Sequence, residues 1–148
     1  MSGAQLQSSL PNITMQARRF DKTRQASATA LAEDYVELID DLLAHHSHAR
    51  PTDVARRLGV SHATVIKAMA RLQREGLVTS QPYRGVTLTQ AGAELAARVR
   101  ARHRLVVDLL IALGVPSDAA ELDAEGIEHH VSDVTLRAFS TYLEQHHK

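Results

Sequence analysis

Six residues in three separate stretches of this 148-residue chain have the types and spacing to hold a divalent cation. Within Asp123-Ala124-Glu125-Gly126-Ile127-Glu128-His129-His130, the residues Glu125, Glu128 and His129 stand at i, i+3 and i+4, so a helix carries them on one face. Asp34 and Glu37 are spaced in the same way beside an apolar stripe, and His103 falls near the Val99 and Val106 face of a long apolar pattern. With no cysteine in the chain, disulfides, thiolate nucleophiles and Cys-based zinc sites are excluded. Any metal is then held by carboxylate and imidazole, a donor set that suits Mn²⁺ or Fe²⁺ better than structural Zn²⁺. Packing four carboxylates together without a cation is costly. Singly, each residue has an ordinary alternative: Asp34, Glu37 and Glu125 as solvated helix charges, His103 as a partly buried core histidine. Only their combination points to a metal. His45, His46, His48, His62, His146 and His147 read as surface residues where metal is concerned, and His130 is turned away from the Glu125–His129 face.

Elements that position these donors follow from the apolar periods. Only 3% of residues are aromatic while Ala and Leu abound, which favours helix over sheet. Residues 1–30 contain Pro11 and no sustained apolar period and read as a mobile basic N-terminal arm, with Arg18, Arg19, Lys22 and Arg24 able to meet phosphates. From Leu31 a helical stripe runs through Tyr35, Leu38, Ile39, Leu42 and Leu43 to a break at Arg50-Pro51. Thr52 and Ser61 are expected to cap two short helices separated by Gly59, and Leu77 to Leu88 read as a hairpin around Tyr83-Arg84-Gly85. Thr89 caps a long helix with Leu95, Val99, Val106, Leu110 and Leu113 inward, ended by Gly114-Val115-Pro116. Ser117 and Ser132 cap two more, the last with Leu136, Phe139 and Leu143 inward. No apolar run reaches the roughly 18 residues of a membrane span, and Met1 to Lys22 lacks the apolar centre of a signal peptide, so a cytoplasmic protein is expected.

Formal net charge is zero, yet the charges are segregated. Residues 32–49 carry a net −5, residues 50–88 a net +5 and residues 89–148 a net −3. A basic block between acidic ones suits a protein that touches a polyanion with one region and a cation with another. Ala55, Gly59 and Val65, at relative positions 0, +4 and +10, match a helix-turn-helix, which needs a small contact residue, a turn glycine and a buried β-branched anchor there. With Val65, Met69 and Leu72 inward, the second helix offers Ser61, His62, Thr64, Lys67 and Arg71 outward. Ser, Thr and Lys there can reach base edges of duplex DNA, while Arg71, Arg74 and the hairpin-tip Arg84 can neutralise phosphates.

Glu33-Asp34-Tyr35-Val36-Glu37-Leu38-Ile39, Leu58-Gly59-Val60-Ser61, Tyr83-Arg84-Gly85-Val86-Thr87-Leu88-Thr89, Arg102-His103 and Glu125-Gly126-Ile127-Glu128-His129-His130 together resemble the diphtheria-toxin-repressor family of metal-dependent transcription factors, in its manganese-responsive branch. The resemblance covers residues 31–148. It implies a mainly α fold: a winged helix-turn-helix DNA-binding domain with a small β-hairpin wing over residues 31–89, then a helical metal-binding and dimerisation domain over 90–148. It further implies a homodimer on a palindromic operator and two Mn²⁺ ions per subunit, held by Asp34, Glu37, His103, Glu125, Glu128 and His129. The iron-responding branch carries softer Met and Cys where this chain has Asp34 and Glu125, which favours manganese, although Fe²⁺ also fits. The SH3-like third domain that branch often carries has no residues left to form it. Rival readings are a winged-helix repressor that senses a small organic ligand and a di-metal carboxylate enzyme. Ferritin-like di-iron sites need two Glu-x-x-His pairs, and the one match, Glu144 to His147, lies at the C-terminus, so no enzyme is expected.

Overall fold

The computed structural model describes residues 9–83 and 85–146. Among them the chain runs α1 (Ile13–His46), α2 (Pro51–Leu58), α3 (His62–Arg74), β1 (Val78–Gln81), β2 (Gly85–Leu88), α4 (Gln90–Ala112), α5 (Ser117–Ile127) and α6 (Asp133–Gln145). The architecture is mainly helical with a two-stranded antiparallel hairpin, as the periods imply. From Ile13 onward the expected arm is the first half of α1, a 34-residue helix whose start is capped by Asn12 accepting from the Met15 amide at 2.7 Å. Apolar periodicity reports burial rather than helicity, so a helix that lies in solvent over its first turns leaves no stripe. Arg18, Arg19, Lys22 and Arg24 on this stretch are exposed, and so is Leu31.

Two further expectations fail at helix starts. Pro51, not Thr52, opens α2: its fixed φ suits the first helical position and Arg50 takes the cap without a side-chain bond. Ser117 is likewise the first residue of α5 behind Pro116 rather than its cap. Thr89 and Ser132 do cap α4 and α6, and Ser61 caps α3. Leu113, expected inward, is exposed just past the end of α4.

Two apolar clusters form the interior. Tyr35, Ile39 and Leu42 of α1 join Val54, Ala55, Val65, Met69, Leu72, Val78 and Val86 in the first, which is the winged helix-turn-helix. Val106 and Val107 of α4 join Ala120, Ala124 and Leu136 in the second. Packing of α1 on α4, where Val36, Ala96 and Val99 are buried, ties the two together.

Two glycines are fixed by close backbone approach. Gly85, at φ +80°, lets the hairpin dock on the segment after α1, where the Val86 amide donates to the Ala49 carbonyl at 2.8 Å. Gly92 lies where α4 begins against the end of α3: a Cβ there would stand 2.1 Å from the Leu77 carbonyl oxygen, whereas one at Gly126 meets nothing within 4 Å among the described residues. Gly92→Ala is expected to destabilise by about 1–3 kcal/mol through overpacking. Gly126→Ala, in the last turn of α5 and with open space for its Cβ, should stabilise by about 0.4–1 kcal/mol by restricting the unfolded chain. Chemical denaturation of both variants checks this, and equal stabilities would contradict the close packing at Gly92.

Candidate metal centre and nucleic-acid surface

Three helices bring five of the six expected donors, Asp34, Glu37, Glu125, Glu128 and His129, into overlapping groups, and place the sixth, His103, beside them against Glu125. α1 presents Asp34 and Glu37 one turn apart, α4 presents His103, and α5 presents Glu125, with Glu128 as its C-cap and His129 in the turn that follows. The cap is regular, the Glu128 amide donating to the Ala124 carbonyl at 3.0 Å, so the helical i, i+3 relation carries through to Glu128. His129 Nε2 lies 3.0 Å from Asp34 Oδ1, and His103 Nδ1 lies 3.3 Å from Glu125 Oε1. Two groups offer donor atoms all within 4.8 Å of one another: Asp34 with Glu125 and His129, and Glu37 with Glu125 and Glu128. Glu125 belongs to both.

A third such group, Glu33 with Glu128 and His129, was not foreseen as a ligand set. It already has a cation. Arg102 reaches it from α4, pairing with Glu33 and donating from Nε to Glu128 Oε2 at 2.9 Å. Glu33 and Glu128 are buried, at 6% and 1% exposure. Burying carboxylates this deeply requires a partner, and the guanidinium supplies one to both. The Arg102-His103 dipeptide was visible in the sequence, but nothing in a sequence says which carboxylates its charge will meet. Arg100, also on α4, pairs with Asp40 and Asp41 of α1, a second ionic tie between the two halves.

One guanidinium does not balance the cluster. Burial first, then Glu125, Glu128 and Asp41, push the Glu37 carboxyl up to about 7, and burial likewise raises Glu125. His129 is pushed up to about 9 by its hydrogen bond to Asp34 and by Glu128 beside it, so its ring is held as a cation. Burial and like charge thus favour the proton on Glu37, and the neighbouring carboxylates favour it on His129. Glu128 Oε1 and His103 Nδ1 are buried without a hydrogen-bond partner among the described residues. His129 Nε2 has one proton and gives it to Asp34, which leaves Glu128 Oε1, also 3.0 Å away, unbonded. Unpartnered buried lone pairs facing a carboxylate cluster fit a hard divalent cation, and the set of oxygen and imidazole donors agrees.

The helix-turn-helix forms at the expected spacing, with Ala55 and Val65 buried and Gly59 at φ +70° in the turn. Ser61, His62, Thr64, Lys67, Arg71 and Arg74 are all exposed. At 100° per residue Lys67 and Arg74 stand opposite the buried Val65, Met69 and Leu72. Ser61 caps the helix from its side chain and also bonds the Thr64 hydroxyl at 2.8 Å, while Arg71 pairs with Glu75 at 2.9 Å and borders the crevice formed with Ala28, Leu31 and Tyr35 of α1. Arg84 lies outside the described residues; Tyr83 next to it projects into solvent, 98% exposed. Among the described residues, no helix is long and apolar enough to cross a membrane.

Two family models match successive parts of the chain. Residues 28–86 match the iron-dependent repressor N-terminal DNA-binding domain, and residues 89–148 match the metal-binding and dimerisation domain of the same family. The chain therefore belongs to the iron-dependent repressor family, that of the diphtheria toxin repressor, whose members are transcriptional regulators rather than enzymes. It is 45% identical to the transcriptional regulator MntR of Escherichia coli O6:H1 over 93% of this chain and 88% of that protein. To the HTH-type transcriptional regulator MntR of Lysinibacillus sphaericus it is 38% identical over 70% and 75%. Among solved structures, the manganese regulator SloR is similar with a TM-score of 0.68 and 31% identity, covering 76% of this chain and 53% of that one. A manganese-dependent transcriptional repressor in complex with manganese gives 0.67 and 32%, over 76% and 52%. The chain thus spans about half the length of these solved relatives.

The raised carboxyl of Glu37 has a signed consequence for the protein in chelator. Below its ordinary value of 4.5 both folded and unfolded chains hold the proton; between there and about 7 only the folded chain does, so stability from this group falls as pH rises. His129 adds the same sign between 6.5 and about 9. Glu37→Gln, which cannot ionise, is expected to match the wild type near pH 5 and to melt at a higher temperature than it near pH 8. A lower melting temperature for the variant at the higher pH would contradict the crowding of carboxylates.

Proposed function

We propose that this chain is a manganese-dependent transcriptional repressor of metal-transport genes, acting in the cytoplasm as a homodimer on a palindromic DNA operator. The observation that carries the metal reading is Glu128 Oε1, buried and unbonded among the described residues at the meeting point of α1, α4 and α5. Asp34, Glu125 and His129 would hold one Mn²⁺ ion, and Glu37, Glu125, Glu128 and His103 a second, Glu125 being common to both. The Glu33 group, already matched by Arg102, takes none. Hard oxygen donors at Asp34 and Glu125 suit manganese.

A bound divalent cation supplies the positive charge that the cluster lacks. The chain's own residues convert it into DNA affinity. Asp34 and Glu37 sit on the helix whose Tyr35, Ile39 and Leu42 form the DNA reader's core, and Glu125, Glu128 and His129 sit on the second helical unit. Drawing the two sets together fixes the reader against the dimerising helices, with the paired α3 helices about 34 Å apart, one turn of duplex. Selective binding to that arrangement stabilises it by RT ln(1 + [L]/Kd), so DNA affinity follows metal concentration. His129 must release its proton to become a ligand, so falling pH opposes the response.

The test begins with duplexes selected from a random library in the presence of Mn²⁺, measured by fluorescence anisotropy. Affinity should rise by at least about tenfold from chelator to Mn²⁺, the scale of ordinary allosteric coupling. Glu125→Ala and His103→Ala should lose this response while keeping the helical circular dichroism of the wild type. Identical affinity of the wild type in chelator and in Mn²⁺ would overturn the proposal. Lys67→Ala should weaken binding and lower the slope of log affinity against log salt by about one, the signature of a lost phosphate contact.

A further inference from the structure

His103 is the donor from α4 and the one among the six whose two ring nitrogens face different carboxylates of α5. Nε2 lies 2.7 Å from Glu121 Oε2, a full hydrogen bond, while Nδ1 lies 3.3 Å from Glu125 Oε1 without bonding geometry. Glu121 and Glu125 are one helical turn apart, so α5 grips the ring at both ends. A neutral imidazole has one N–H and one lone pair, and the better acceptor decides which nitrogen keeps the proton. Glu121 is more than half exposed at its side chain and meets the ring nitrogen remote from Glu125, the carboxylate common to two of the donor groups.

We propose that Glu121 is a positioning residue for the metal centre: by accepting the Nε2 proton of His103 it fixes the ring's tautomer and orientation, so that the Nδ1 lone pair faces Glu125 and the cation. The inference rests on the manganese reading above and deepens it. A carboxylate behind a metal-binding histidine raises the ligand's basicity and removes the cost of orienting the ring on binding, and loss of such a partner weakens metal binding by about 10–100-fold. Glu121 does this work without touching the metal, which separates its behaviour from that of Glu125. A glutamine at 121 still offers a carbonyl oxygen to the Nε2 proton, whereas an alanine does not.

The experiment uses the full chain, ¹⁵N-labelled at histidine, with the His103 ring assigned by the signal that disappears in His103→Gln. In chelator, the wild type and Glu121→Gln should show His103 with the proton on Nε2, and Glu121→Ala a mixture of tautomers. Calorimetric titration with MnCl₂ should then give a dissociation constant raised by about tenfold or more in Glu121→Ala and returned close to the wild-type value in Glu121→Gln. Manganese binding by Glu121→Ala as tight as the wild type's, or a His103 proton on Nε2 regardless of residue 121, overturns the inference. So does Glu121→Gln binding as weakly as Glu121→Ala, which would make Glu121 a ligand or a required charge. A wild type that takes up no manganese overturns the underlying metal reading instead, and the tautomer measurement in chelator tells the two failures apart.

Discussion

Repulsion between buried carboxylates is the constraint on which the rest of this molecule turns. Glu33, Asp34 and Glu37 come from one helix and Glu125 and Glu128 from another, and the fold presses them together beneath α4. Arg102 offsets part of the charge, and protons on Glu37 and His129 offset more. The interior that results is incompletely satisfied at Glu128 Oε1 and His103 Nδ1. Polar networks left half-satisfied destabilise a core, so their retention in an otherwise well-packed protein has a functional logic rather than a structural one.

Division of labour among the charged residues is clear in space. Arg100 and Arg102 are cations that hold α4 against α1 and against the end of α5. Under the proposed function, these pairs would lower the ordering cost left for a bound cation to offset. The same arrangement explains why a deeply buried glutamate is tolerated at position 128: one oxygen pairs with Arg102, and the other lies against the His129 ring without a hydrogen bond of its own.

Much of this was legible in the sequence because its signals are local. The i, i+3, i+4 spacing of Glu125, Glu128 and His129, the helix-turn-helix spacing of Ala55, Gly59 and Val65, and the caps Ser61, Thr89 and Ser132 each depend on neighbours within a few turns. What escaped was non-local or unburied. The Arg102 pairs join residues far apart in the chain, and Glu121 is meaningful only through a histidine on another helix. The first half of α1 hid because a helix that buries nothing writes no apolar stripe. Thr52 and Ser117 misled as caps because the neighbouring prolines start those helices instead.

α1 belongs to both halves of the molecule at once: Tyr35, Ile39 and Leu42 are embedded among α2, α3 and the hairpin, while Asp34 and Glu37, interleaved with them, look toward α5. No break separates Asp34 and Glu37 from the residues packed on α2 and α3, since the helix runs continuously from Ile13 to His46. Under the proposed function, a tilt that a bound cation imposed on α1 would pass directly to the core it shares with α2 and α3. Such a coupling would need no relay of intermediate contacts.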